Sequence, residues 1–154
     1  MARSTIKGGR QVRFAVVGLG HIAQTAVIPA FAHAARHARL VGIVSGNDEK
    51  RRAIASRYSV KAWPYEGLDA CLADEDVDAV YIALPNTVHA DAAVRAARAG
   101  VHVLCEKPMA TSSDDCNAMI RAAHEGDVRL MIAYRLHFEP ANLSAVDLRL
   151  MDAL

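Results

Sequence analysis

The sequence predicts a doubly wound α/β domain built on a parallel sheet, and three observations carry that prediction. Short apolar runs recur along the chain, each continuous rather than alternating, as strands buried on both faces require. Segments of helical length separate them, which favours crossover connections over hairpins. Finally, 154 residues with 53% hydrophobic and 23% charged content fit one ordinary globular domain with a real core. An aromatic share of only 5% points to an interior rich in alanine and valine.

The elements follow in order. Residues 1–11 are polar and are expected to be a disordered or flexible N-terminus. Val12 to Val17 is the first strand, and His21 to about Ala35 reads as helix. Pro29 removes one backbone donor there and crowds the carbonyl four residues back, so the helix is expected to kink or stop at the surface. Leu40 to Ser45 is the second strand, Asp48 to Tyr58 a helix, Val60 to Trp63 a short strand, and Gly67 to Ala73 a small helix. Ala79 to Leu84 is a strong apolar run stopped by Pro85. Thr87 to Ala99 is an alanine-rich helix closed by Gly100, a residue suited to the left-handed conformation that ends helices. Val101 to Cys105 is a strand. Ser112 to Glu125 is a helix with Ser112 and Asp115 spaced like a capping box and Gly126 at its end. Arg129 to Tyr134 is the last strand. Six strands alternating with helices match the Rossmann count, so residues 12–135 form the expected domain. Beyond it the pattern degrades into "RLHFEPANLSAVDLRLMDAL", and one further helix is expected in residues 136–154.

Charge and cysteine usage narrow the function. A formal net charge of +1 argues against a nucleic-acid footprint or a polybasic membrane surface. Lys50, Arg51 and Arg52 form the one tight basic cluster, equally readable as a solvated helix face or as a local anion site. Cys71, Cys105 and Cys116 are an odd set without metal-type spacing, which points to free thiols in a reducing compartment. Cys105, Cys116, His102 and His124 lack the short spacings of a zinc site, and no metal is expected. The N-terminus "MARSTIKGGRQ" has no apolar signal core and no run reaches transmembrane length, so a cytoplasmic protein is expected.

Chemistry enters with "GLGHIA" directly after the first strand. Gly18 allows the sharp turn out of the strand, Gly20 lets backbone approach a pyrophosphate, and Ala23 lets the helix pack close to the sheet. His21 and Ile22 open that helix, whose unpaired N–H groups and positive dipole end suit phosphates. Such a motif alone is weak. Between a strand and a helix, with another strand ending about 25 residues later, it reads as a dinucleotide site.

The end of the second strand bears on which dinucleotide. An NAD site usually presents an acid there for the ribose 2′-hydroxyl. Here the run is "LVGIVSGNDEKRR", with Ser45 and Gly46 in the acid's place. Ser45 can donate to a 2′-phosphate, and Lys50, Arg51 or Arg52 can neutralise it. Asp48 and Glu49 are more simply first-turn helix acids. NADP is therefore expected over NAD.

Three further motifs are "YIALPNTVHA" (Tyr81 to Ala90), "VHVLCEKPMATS" (Val101 to Ser112) and "YRLHFEPAN" (Tyr134 to Asn142). With the opening glycines and "VSGNDEK", the chain from about Val12 to Asn142 resembles the glucose–fructose oxidoreductase / inositol dehydrogenase family, nearest its NADP-dependent branch. The resemblance implies that Leu84, Pro85 and Asn86 close the fourth strand against the cofactor, with His89 on the next helix as a further cofactor contact. It implies that Glu106 and Lys107, ahead of Pro108, form the family's Glu-Lys-Pro motif. Lys107 is then the catalytic residue beside the nicotinamide, stabilising oxyanion character on the substrate oxygen. Arg135 matches a cofactor-flanking position, and His137 and Glu139 fit either a substrate contact or a linker.

The resemblance also implies a second, substrate-binding domain, with its pocket and a histidine proton acceptor, that does not fit after Asn142. Residues 136–154 are expected to be the truncated start of that domain, and the uncovered domain face invites self-association. Two functions stay open: an NADP-dependent oxidoreductase acting on a sugar or polyol, represented by its nucleotide-binding domain, or a non-enzymatic dinucleotide-binding module or relic. A Rossmann-like methyltransferase leaves Ser45 and the Glu-Lys-Pro run unexplained.

Overall fold

A computed structural model describes residues 10–150. Of the expected flexible N-terminus, residues 1–9 lie outside the described residues, as do residues 151–154. Arg10 donates to Asp78 Oδ1 at 2.6 Å, and Gln11 donates to the Ala35 carbonyl.

One sheet organises the chain. Its strands are β1 (Val12–Val17), β2 (Ala38–Val44), β3 (Lys61–Trp63), β4 (Ala79–Ile82), β5 (His102–Cys105) and β6 (Leu130–Ile132). They run parallel in the order β3-β2-β1-β4-β5-β6, the doubly wound order, with the direction of winding reversing between β1 and β4. The helices are α1 (Ile28–His33), α2 (Asp48–Tyr58), α3 (Leu68–Ala73), α4 (His89–Arg98), α5 (Ser113–Glu125) and α6 (Pro140–Leu150).

Successive strand residues point to opposite faces, so continuous apolar runs fill two core layers at once. Ala15, Val17, Val80, Ile82, Val103 and Cys105 pack with Leu72, Ala96 and Met119 from the helices on one face. Val16, Ile43 and Tyr81 pack with Ala23, Val27 and Ile28 on the other. Each fully buried aliphatic side chain contributes about 1.5–3 kcal/mol relative to exposure.

Helix ends follow local chemistry. The Ser112 hydroxyl accepts from the Asp115 N–H at 3.1 Å, as the spacing predicts. Asn47 Oδ1 accepts from the Lys50 N–H at 2.9 Å and starts α2 in the same manner. Gly100 has φ +74° after α4. Gly126 is needed for space instead: its backbone is ordinary right-handed, but a Cβ would lie 2.2 Å from the Ala97 carbonyl of α4.

The expected stop at Pro29 is not found. A π-helical turn, Ala23–Val27, precedes α1, and the Ile28 N–H bonds to the Ala23 carbonyl five residues back. The wider turn ends where the proline begins, placing Pro29 in the first turn of α1, where a missing donor costs little.

Beyond β6 a one-turn helix, Arg135–Phe138, leads to α6, whose residues 141–147 are exposed. The α1 face over β4 to β6 holds an apolar groove of about 570 Å³, lined by Phe14, Phe31, Leu104, Met131 and Phe138 among others. Among the described residues no helix is long and apolar enough to cross a membrane.

The amino end of the sheet is held by charge. Asp78, 9% exposed, accepts from the Arg13 backbone N–H at 2.9 Å and from Arg13 Nε and Nη2 at 2.9 and 2.8 Å. Burial pushes its carboxyl up, but the Arg13 hydrogen bonds and the charges of Arg13 and Arg10 outweigh this and hold it below the ordinary carboxylate value. A depressed folded value contributes stability that is present above the unfolded value, near 4, and lost as pH falls through the folded one. Asp78→Asn should cost about 3 kcal/mol at pH 7 and flatten the acid limb of a stability-against-pH curve below about pH 4, checked by denaturant titration.

Candidate functional site

The site grows from the turn after β1. The Gly18 N–H continues the β2 ladder by donating to the Val44 carbonyl at 2.9 Å, and Ala83 continues β4 by donating to the Val17 carbonyl at 2.8 Å. Gly18 then turns at φ +100°, where a Cβ would sit 2.5 Å from the Ala83 carbonyl oxygen. Only glycine fits. Gly20 differs: it is exposed, and the nearest atom to a built Cβ is the Ala83 carbonyl oxygen at 4.0 Å. Its carbonyl accepts from the Gln24 N–H at 3.2 Å, so the helix begins at His21 and Ile22. The N–H groups of that first turn have no partner within the helix. Open space above a small residue, beside these donors, fits a pyrophosphate.

On one side of this turn lies the β2 exit. Ser45 is buried, its N–H donates to the Trp63 carbonyl at 3.0 Å, and its hydroxyl accepts from the Asn47 N–H at 3.3 Å. That leaves the hydroxyl its own proton to donate. Gly46 is exposed beside it. Of the three basic residues that follow, Arg51 folds back: Nη1 donates to the Ser45 carbonyl at 2.8 Å, while the guanidinium also pairs with Asp48. Arg52 pairs with Asp48 too, and the Lys50 side chain is exposed.

On the other side lie the β4 and β5 exits. Leu84 is half-buried, while Pro85 and Asn86 are exposed at the start of a one-turn helix, Asn86–Val88. His89, named above as a cofactor contact, is fully buried. Its Nδ1 lies 2.9 Å from the Pro108 carbonyl oxygen and its Nε2 2.9 Å from that of Leu84. Both partners are acceptors, so the ring N–H donates to one of these carbonyls, the tautomer deciding which, while the ring packs against the other. His89 therefore ties together two loops that line the edge, rather than lining it.

Glu106 continues β5 through an N–H donated to the Ile82 carbonyl at 2.9 Å, and its carboxylate is buried. Lys107 is exposed, and a cis peptide joins it to Pro108. Tyr81, absent from the expected site, donates its hydroxyl to Glu106 Oε1 at 2.7 Å. Arg135 lines the same apolar groove as these two, and its charge acts on Tyr81. One signal for Tyr81 existed in the sequence: a hydroxyl inside a buried strand needs a partner.

Other candidates fall elsewhere. His102 Nδ1 accepts from the Arg129 N–H at 3.0 Å at the amino end of the sheet, and among the described residues no group of three His, Cys, Asp or Glu side chains is placed to hold a metal. Cys71 is buried, and Cys105 is a buried free thiol that burial pushes up to about 12.

The sequence profile described as "Oxidoreductase family, NAD-binding Rossmann fold" matches residues 12–134. The chain belongs to that family. Among curated relatives, D-xylose 1-dehydrogenase (NADP(+)) 2 of Haloferax volcanii is 37% identical over 135 residues, covering 88% of this chain and 41% of that protein. Among solved structures, the aldose-aldose oxidoreductase of Caulobacter crescentus complexed with glycerol superposes with a TM-score of 0.90 at 40% identity, over 94% of this chain and 44% of that one. The WlbA dehydrogenase of Bordetella pertussis, in complex with NADH and UDP-GlcNAcA, gives a TM-score of 0.74 at 35% identity over 80% and 37% of the two chains. The chain spans about two fifths of the length of the curated relatives it matches. What it shares with this oxidoreductase family is therefore the NAD(P)-binding domain.

The two glycines of this domain should separate cleanly. Gly18→Ala meets both a positive φ and a backbone carbonyl, and should cost at least about 2 kcal/mol of stability. Gly20→Ala should leave the melting temperature of the free chain nearly unchanged while abolishing measurable dinucleotide binding. Thermal melts and fluorescence titration of both variants check this.

Proposed function

We propose that this chain is the cofactor domain of an NADP-dependent oxidoreductase that moves hydride between a sugar or polyol and the nicotinamide. The observation that carries the cofactor choice is the β2 exit: a buried Ser45 where an NAD site holds an acid, with the Arg51 guanidinium on its carbonyl. A 2′-phosphate there meets a hydroxyl donor, a planar cation and the amino end of α2, with no carboxylate at the acid's own position.

Each group then has a physical task. The unpartnered N–H groups after Gly20 hold the pyrophosphate. Leu84, Pro85 and Asn86 bound the cleft at the β4 exit, and His89 keeps that wall in register with the Lys107–Pro108 turn. NADP, when bound, supplies the hydride chemistry itself. The exposed Lys107 ammonium, at the carboxyl end of β5, holds a substrate hydroxyl and stabilises negative charge developing on its oxygen. The sugar or polyol class is supported by the family relatives, whose names include a xylose dehydrogenase and an inositol dehydrogenase. Residues 12–135 form the cofactor domain and residues 136–154 the start of a substrate domain. The positioning and acid–base groups that such a domain contributes are typically worth factors of 10² or more in rate, so the chain alone should bind cofactor far better than it turns over sugars.

Titration of the intact chain with NADPH and NADH, followed by nicotinamide fluorescence, tests the reading. NADPH should bind more tightly, and Arg51→Ala should weaken NADPH about tenfold while leaving NADH unchanged, the size of one charge-assisted hydrogen bond. Equal affinity for both cofactors would defeat the NADP assignment.

A further inference from the structure

Tyr81 is the one hydroxyl-bearing residue in an otherwise aliphatic strand, β4 reading Ala79, Val80, Tyr81, Ile82. It pairs with Leu104 across the parallel ladder, so Glu106, two residues further on, lies on the same face of the sheet. Tyr81 and Glu106 are each 8% exposed, and the hydroxyl donates to Glu106 Oε1 at 2.7 Å. The second carboxylate oxygen lies 3.3 Å from the Lys107 N–H. One carboxylate thus joins a β4 side chain to the backbone of Lys107.

Packing alone does not account for the hydroxyl. Phenylalanine would fill the same space without bringing a polar atom into the core, where it is costly unless matched. Without that donor the glutamate gains rotamers toward the open groove on the same face, which Glu106, Tyr81 and Arg135 all border. Burial and the adjacent carboxylate both push the Tyr81 hydroxyl above the ordinary phenol value, with Arg135 opposing, so at neutral pH it remains a donor.

We propose that Tyr81 is a positioning residue: it pins the Glu106 carboxylate, and through it the Lys107 amide, at the nicotinamide end of the site. The proposal rests on reading Glu106 and Lys107 as nicotinamide-side residues.

A double-mutant cycle on NADPH affinity tests it, with Tyr81→Phe, Glu106→Ala (which, unlike glutamine, leaves no acceptor for the hydroxyl) and the pair made in the full chain. Glu106→Ala should weaken NADPH about tenfold, Tyr81→Phe should lose a substantial part of that, and the pair should be no weaker than Glu106→Ala alone. Losses that multiply in the pair would show that Tyr81 acts on its own packing and would overturn the proposal. So would an unchanged Tyr81→Phe beside a weakened Glu106→Ala. If Glu106→Ala itself leaves NADPH binding intact, the underlying reading of the nicotinamide end fails instead. An independent readout needs no change at Tyr81: at neutral pH the NMR shift of its hydroxyl-bearing ring carbon should move in Glu106→Ala relative to the unsubstituted chain, since the acceptor at 2.7 Å is gone. An unchanged shift would mean that the contact does not form, and would overturn the proposal.

Discussion

The site depends on how closely β1 and β4 leave the sheet side by side. Gly18 and Ala83 are past the last paired residues of their strands, yet each still donates a ladder bond to a carbonyl of the neighbouring strand. The glycine turns so close to the Ala83 carbonyl that no side chain fits between them. Because the winding of the chain reverses at this pair, the loops on either side diverge and leave a crevice. The donors of the first helix turn then face open space rather than protein.

The rest of the edge is fastened to that pair by a short series of links. β2 is tied in through Gly18, and its exit is stiffened where Asn47 caps α2 and Arg51 reaches back to Ser45. β5 is tied in twice, by the Glu106 amide on the Ile82 carbonyl and by His89 spanning the Leu84 and Pro108 carbonyls. None of these links needs the cofactor. A site assembled in advance loses less conformational entropy on binding, which is how a shallow edge can hold an extended ligand.

The sheet was legible in the sequence because parallel strands buried on both faces leave long aliphatic runs, and because Gly100 and Ser112 mark helix ends by chemistry that reads locally. Gly18 and Gly20 were legible for the same reason. What escaped was anything set by a partner distant in sequence. Pro29 reads locally as a break, but the helix absorbs it by widening the turn before it. His89 reads as a polar first-turn residue facing a ligand, whereas its partners are carbonyls at the ends of two strands. The choice among Lys50, Arg51 and Arg52 turns on which side chain folds back onto β2. The Tyr81 hydroxyl signals only that it needs a partner, and which one emerges when the ladder places Glu106 diagonal to it.

On this reading one dinucleotide lies along the edge from the β2 exit to the β5 exit, and backbone amide NMR of the chain during titration with NADPH is the decisive measurement. Shifts are expected at Gly20 to Ala23, at Ser45 to Arg51 and at Glu106 to Lys107, all following one dissociation constant. Shifts confined to a single strand exit, or centred on the apolar groove around Phe31 and Phe138, would contradict it.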